Sequence, residues 1–316
     1  MIDFRYHLVS IVAVFLALAV GIALGAGPLK DPVDVALGNQ TEALREERNQ
    51  LRSQVDELDA RVAYDDAWSA AAADPLVRGR LLDQRVVVVQ LPGAESTAAD
   101  SAEGALEGAG ASVTGVVTLL DDWSDPDQEA ILDDLIDRLT ASGGEPDEGD
   151  ASAYEKAGHA LGEALVSADP ALIGIPSEGS AALLSALVEL GVIEVTGSPE
   201  QRAGLVYVVA AEAPEDPGSE DAERARSAVL SLIRSLDSGL GSVVAGPEGS
   251  AGEGSVVRAI RDDGDLRAAV STVDIADVAS GRTSAVVALG RQANGETGHY
   301  GTGADADGAA PSFDRP

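Results

Sequence analysis

One stretch of apolar sequence constrains this chain more than anything else in it. Leu8 to Ala26, LVSIVAVFLALAVGIALGA, carries no charge, and Ser10 is its only polar side chain. Coiled as a helix at about 1.5 Å per residue, it spans roughly 28 Å, close to the hydrocarbon thickness of a bilayer. The segment is therefore read as one membrane crossing. A cleaved signal peptide is the competing reading, since small residues occur at Gly25 and Ala26. Against it, the run exceeds the usual signal core of about 7–15 residues, and only Arg5, opposed by Asp3, charges the preceding segment. An uncleaved anchor over 8–27 is expected, behind a short cytoplasmic N-terminus at 1–7. Lys30 beyond the span is offset by Asp31 and Asp34, so the positive-inside bias directs the bulk of the chain out of the cytoplasm.

Two further patterns ask for a second chain. Ala13, Ala17, Gly21 and Gly25 recur every four residues, which puts small side chains on one helix face and lets two membrane helices approach closely. The plainer explanation is that Ala and Gly are common in membrane helices. After the span, Leu37, Leu44, Leu51 and Leu58 keep a strict seven-residue spacing. Placed at d, they put Val55 and Val62 at a, with Thr41 and Arg48 at the earlier a positions. Glu47 at g and Arg52 at e pair in the sense of a parallel dimer. A coiled-coil helix over 36–73 is expected to join two parallel protomers. A single amphipathic helix lying on the following domain would show the same spacing.

Beyond Asp74 and Pro75 the pattern changes to short apolar runs separated by helical stretches. Val86–Leu91, Val113–Leu119, Ala171–Ile175, Leu205–Ala211, Ser242–Ala245 and Ser271–Val273 read as strands. The continuous β-branched run VVVV suits a strand buried on both faces. Helical patterns fall at 127–139, 151–167, 179–190 and 219–236. This alternation predicts an α/β domain over 85–292, with a mostly parallel sheet covered by helices. The acidic segment 142–150 reads as a solvated loop or a seam between two halves, and 293–316 as a flexible acidic tail.

Charge and composition exclude several functions. With 54 acidic against 21 basic side chains, the net charge of −33 repels polyanions, so no nucleic-acid partner is expected. No cysteine is present, which removes disulfides, thiolate metal sites and thiol nucleophiles. Dinucleotide, P-loop, zincin and nucleophile-elbow motifs do not occur, so no catalytic residues are assigned and no enzyme is expected. The glycine-rich loop at 246–255 follows a strand as a phosphate cradle would, but Glu248 and Glu253 oppose an anion there. Asp121, Asp122, Asp125 and Asp127 lack the glycine and closing glutamate of a calcium loop, and read as a turn and helix start. Glu155, His159 and Glu163 share one helix face at i, i+4 and i+8, a set able to hold zinc or copper(II) or simply to face solvent. Asp274 ends a strand, where α/β sheets place ligands.

The opening MIDFRYHLVSIVAVFLALAVGIALGAGPL closely resembles that of the actinobacterial copper transporter family. The order that follows is similar too: a coiled-coil helix, an α/β domain, an STVD element at 271–274 and a GHYG element at 298–301. The resemblance covers essentially the whole chain. It implies an envelope protein that limits copper inside the cell, and so a role in copper transport or homeostasis. For other relatives of this type it implies a scaffold role with a membrane or divisome partner governing cell separation and peptidoglycan hydrolysis. It also marks Asp274, His299 and Tyr300 as family elements. Of the metals, copper is the one the resemblance implies as possible, and no other cofactor is called for. Copper(I) prefers Cys and Met, yet Met1 is the only methionine and His7, His159 and His299 the only imidazoles. His159, with Glu155 and Glu163, and His299 are the candidate copper ligands, and a site built from them favours copper(II).

Overall fold

Two helices precede any strand. α1 (Phe4–Ala26) takes up the apolar run, and α2 (Lys30–Val77) takes up the heptads. This computed structural model describes residues 4–26, 30–140, 152–176 and 178–314. The side chain of Leu37 and the acidic segment 142–150 lie outside the described residues. The chain divides into two units, Met1–Asp65 and Asp66–Pro316.

In the first unit the described side chains of α1 are exposed, including Ala13, Ala17, Gly21 and Gly25. Among the described residues, the helix's own backbone aside, nothing lies within 4 Å of a Cβ placed on Gly21 or Gly25. Leu44, Leu51, Val55, Leu58 and Val62 are likewise exposed on α2. The single helix is thus established, and its pairing with a second copy is not. α2 outruns the expected 36–73: it passes Asp74, includes Pro75 and stops at Val77, within one turn of the missing amide hydrogen.

The second unit is built on a seven-stranded sheet. Its strands are β1 (Arg85–Gln90), β2 (Ser112–Leu119), β3 (Ile193–Gly197), β4 (Leu205–Val209), β5 (Gly241–Ala245), β6 (Ser271–Val273) and β7 (His299–Tyr300). They lie in the order β3-β2-β1-β4-β5-β6-β7, and every neighbouring pair is parallel except β2 with β3. The connection leaving β1 therefore turns to one side of the sheet and that leaving β4 to the other. A crevice opens between the carboxyl ends of strands where the order reverses in this way.

Helices cover both faces because the strands are apolar on both. Val87, Val89, Val206, Val208 and Val244 pack under α4 (Glu129–Thr140), α5 (Ala153–Leu165), α6 (Glu178–Leu190), α7 (Glu220–Leu236) and α8 (Val256–Asp262). On the other face Val86, Val88, Leu205 and Tyr207 meet α3 (Ala98–Gly108), α10 (Ala279–Gln292) and the end of α2. α9 (Gly264–Ala269) completes the first layer, where Leu266 joins the core. With few aromatic residues, the helices approach closely. A Cβ on Gly158 would sit 3.0 Å from the Leu232 amide nitrogen, and one on Gly162 3.0 Å from the Ser235 carbonyl carbon. These two glycines, one turn apart, let α5 lie directly on α7.

The structure departs from the sequence reading elsewhere too, with α3 and α10 forming where no helix is expected. Ala171–Gly174 is a turn rather than a strand, closed where Gly174 takes φ +80° against the Arg85 guanidinium. β3 forms where no strand is expected, as an antiparallel edge whose side chains are mostly exposed. Residues 293–314, expected as a flexible tail, are folded onto the domain. They supply β7, bury His299, and return Phe313 to Arg80, whose guanidinium carbon lies 5.9 Å from the ring centroid.

Candidate functional site

The STVD and GHYG elements meet at one edge of the sheet, around Arg261. This residue falls one turn after Val257 on α8 and so shares the helix's apolar face. Its side chain is fully buried, and a buried guanidinium must find partners for its donors. Nε donates to Thr272 Oγ1 at 2.8 Å and NH2 to the Tyr300 carbonyl at 3.0 Å. NH1 donates to Asp274 Oδ2 at 2.7 Å and reaches Asp305 Oδ1 at 3.4 Å. Asp274 is 1% exposed. Its Oδ1 accepts from the Thr302 amide at 2.7 Å and its Oδ2 from the Gly303 amide at 3.2 Å.

The glycines of the second element follow from this wrapping. Gly301 has φ +133°, and a Cβ there would overlap the Asp274 carboxylate. Gly298 lies against the Tyr300 phenol with no room for a side chain. His299 sits between them and is buried. Its Nε2 is 3.0 Å from the Arg267 carbonyl, which only accepts, so that nitrogen carries the proton. Nδ1 then accepts from Thr272 Oγ1 at 2.8 Å, completing a relay of donors from Arg261 through Thr272 to His299. Burial pushes the His299 imidazole below the ordinary histidine range. The Arg267 and Arg261 charges act in the same direction, while the bond to the Arg267 carbonyl and the Asp307 charge oppose it. With both nitrogens engaged, His299 offers no lone pair to a metal in this state. The centre is thus a structural clasp that fastens residues 298–307 to the sheet.

The other predicted metal ligands do not converge. Glu155 closes a capping box at the start of α5, where its carboxylate accepts from the Ser152 amide at 2.8 Å. His159 is 70% exposed, with Glu163 Oε2 at 3.9 Å from its Nδ1. Among the described residues no three His, Cys, Asp or Glu side chains are grouped to hold an ion. Asp121–Ser124 forms one turn of 3₁₀ helix, and Asp125 Oδ1 accepts from the Asp127 amide at 2.9 Å, so this acidic run shapes a turn.

A cleft of about 300 Å³ lies at the sheet's order reversal, beyond the carboxyl ends of β1, β4 and β5. Tyr207, Val209 and Ala245 form its floor, and Gly246 and Pro247 bring the start of the glycine-rich loop to its wall. Sequence reasoning passed over Arg261 and Tyr207. A lone arginine on the apolar face of a short helix, and a phenol within an otherwise aliphatic strand, were the signals for them.

The chain matches the family described as "Copper transport outer membrane protein, MctB" over residues 1–311. It is similar to the copper transporter MctB of Mycobacterium bovis and of Mycobacterium tuberculosis H37Rv. Each is 31% identical over 315 residues, covering 96% of this chain and 97% of the relative. The copper transporter MctB of Mycobacterium leprae is 30% identical over 319 residues, with 96% and 97% covered.

Replacing Asp274 by Asn leaves the buried Arg261 charge largely uncompensated. The expected cost is about 3–5 kcal/mol of folding stability, read as a lower denaturant midpoint for the purified chain. His299 gives a pH signature. Its folded value lies below its unfolded one, so the stability it contributes is present above about pH 6.5 and is lost as pH falls through the folded value. Stability measured across pH 7.5 to 5 should decline, and His299→Gln should flatten that decline.

Proposed function

Because the chain belongs to the MctB copper transport family, we propose that it serves copper transport as a membrane-anchored component of the cell envelope, with α1 as anchor and the α/β domain outside the cytoplasm. The observation that carries this reading is the match over residues 1–311, which takes in the apolar helix together with the folded domain. One apolar helix cannot line a pore by itself. The donor set also disfavours a soft copper(I) site within one chain, since the sequence has no cysteine and only Met1 as a thioether. Copper as cargo is therefore handled at the level of an assembly, and the chain acts without catalysing covalent chemistry. The scaffold reading for cell separation finds no support in the matched relatives, whose names concern copper.

The assembly we propose is a parallel dimer. The exposed line Leu44, Leu51, Val55, Leu58 and Val62 supports it, because such a line loses its contact with water when two copies of α2 pair. The small-residue face of α1 supports the same orientation within the membrane.

Cells lacking the gene should accumulate more copper than the parent in copper-supplemented medium, as read by elemental analysis. Restoring the full chain should reverse this, and a version without residues 4–26 should not. An unchanged copper content in the deletion strain would remove the transport reading. The cysteine-free background permits a direct test of pairing. Leu51→Cys should form a disulfide-linked dimer in membranes, whereas Asn49→Cys, on the outer side of the helix, should remain monomeric on a non-reducing gel.

A further inference from the structure

Tyr207 is the odd residue of its strand. It lies in the middle of LVYVV, is 2% exposed, and is surrounded by aliphatic side chains of the sheet and α10. A buried hydroxyl is normally hydrogen-bonded, because leaving it unpaired forfeits its interaction with water. The Tyr207 hydroxyl makes no hydrogen bond within the described residues and is not sealed from water, since Tyr207 lines the floor of the cleft. Burial pushes its ionisation well above the ordinary tyrosine range, with the Arg282 charge opposing, so the group stays a neutral donor and acceptor.

The walls around it are polar and built. Arg282 is held in place by donating from NH1 to the Asp277 carbonyl at 2.7 Å and the Ala276 carbonyl at 3.3 Å. Glu95, Glu212 and Asp277 stand at the rim and outnumber that single cation. Asp277 Oδ1 accepts from the Glu248 amide at 3.1 Å, which ties the rim to the glycine-rich loop. The position, at the carboxyl ends of β1 and β4 where the strand order reverses, is where open α/β sheets take ligands. The volume, about 300 Å³, stands at the small end of ligand pockets and suits one ring.

The chemistry of the lining narrows the occupant. An acidic rim disfavours phosphates and carboxylates, whereas ionised carboxylates accept hydrogen bonds from neighbouring hydroxyls through both oxygens. A hydroxyl at the far end of the ligand would take the place of water on Tyr207. We propose that this cleft binds a neutral, single-ring polyhydroxylated ligand of the monosaccharide class, seated with one hydroxyl on Tyr207 and others toward the rim carboxylates. The site is separate from the Arg261 clasp and does not depend on copper transport.

Saturation-transfer NMR on the full chain, in a zwitterionic detergent without a sugar headgroup, tests this with glucose, N-acetylglucosamine and glucuronate as probes. At least one neutral sugar should receive saturation, and glucuronate should not. Tyr207→Phe, which removes only the hydroxyl, should weaken that sugar at least tenfold. Ser101→Phe, placed on the exposed face of α3 at the cleft wall, should abolish binding without changing the unfolding temperature. Absence of transfer to both neutral sugars, preference for glucuronate, or equal binding by Tyr207→Phe would each overturn the proposal.

Discussion

A fully buried guanidinium has to be answered by its surroundings, and much of one sheet edge is arranged to answer Arg261. Its donors go to a side-chain hydroxyl on β6, to carboxylates at the end of β6 and in the following segment, and to a carbonyl on β7. Removing a charge from water costs several kcal/mol, and only a complete set of partners offsets it. The fold meets this requirement by drawing residues 298–307 across the edge, so that backbone amides of Thr302 and Gly303 complete the shell of Asp274. Two residues of β7 would make a negligible strand by themselves. They hold because the polar centre beneath them fixes the segment at both ends.

Elsewhere the domain relies on close approach rather than bulk. Val, Ala, Leu and Ile make up most of both faces of the sheet, and glycine lets backbones meet between the helices. Gly158 and Gly162 seat α5 on α7, and Gly281 lies so near the Ile275 carbonyl that no Cβ fits. Such contacts are intolerant of added methyl groups, because interiors are packed near crystalline density.

The central strands were legible because burial on both faces leaves an uninterrupted apolar run, as in VVVV at Val86–Val89 and LVYVV at Leu205–Val209. β3 was not, because an edge strand shows one exposed row, and Glu194 and Thr196 break the run. Ala171–Ile175 had a strand's composition, yet prolines stand on both sides of it and Gly174 needs a left-handed backbone, so it turns. Of the site, Asp274 was marked by its place at a strand's carboxyl end and His299 as one of three imidazoles, both also by resemblance, and their role as clasp residues required knowing that Arg261 lies between them. The copper trio followed from helical spacing. Spacing could not reveal that Glu155 was already engaged with Ser152. The heptads gave the long helix, while the partner they imply belongs to another chain.

The clasp also sets an order of events during synthesis. Arg261 and Asp274 are made well before the residues that surround them, since Thr302 lies 28 positions beyond Asp274. Until that stretch leaves the ribosome or the translocation channel, the carboxylate and guanidinium have only each other, the Thr272 hydroxyl and water. The central strands can assemble in this interval, but the edge of the sheet stays open. A nascent domain of this design is therefore most vulnerable to proteases and chaperone capture late in its emergence, and it becomes resistant in a single step when the segment around Gly301 arrives.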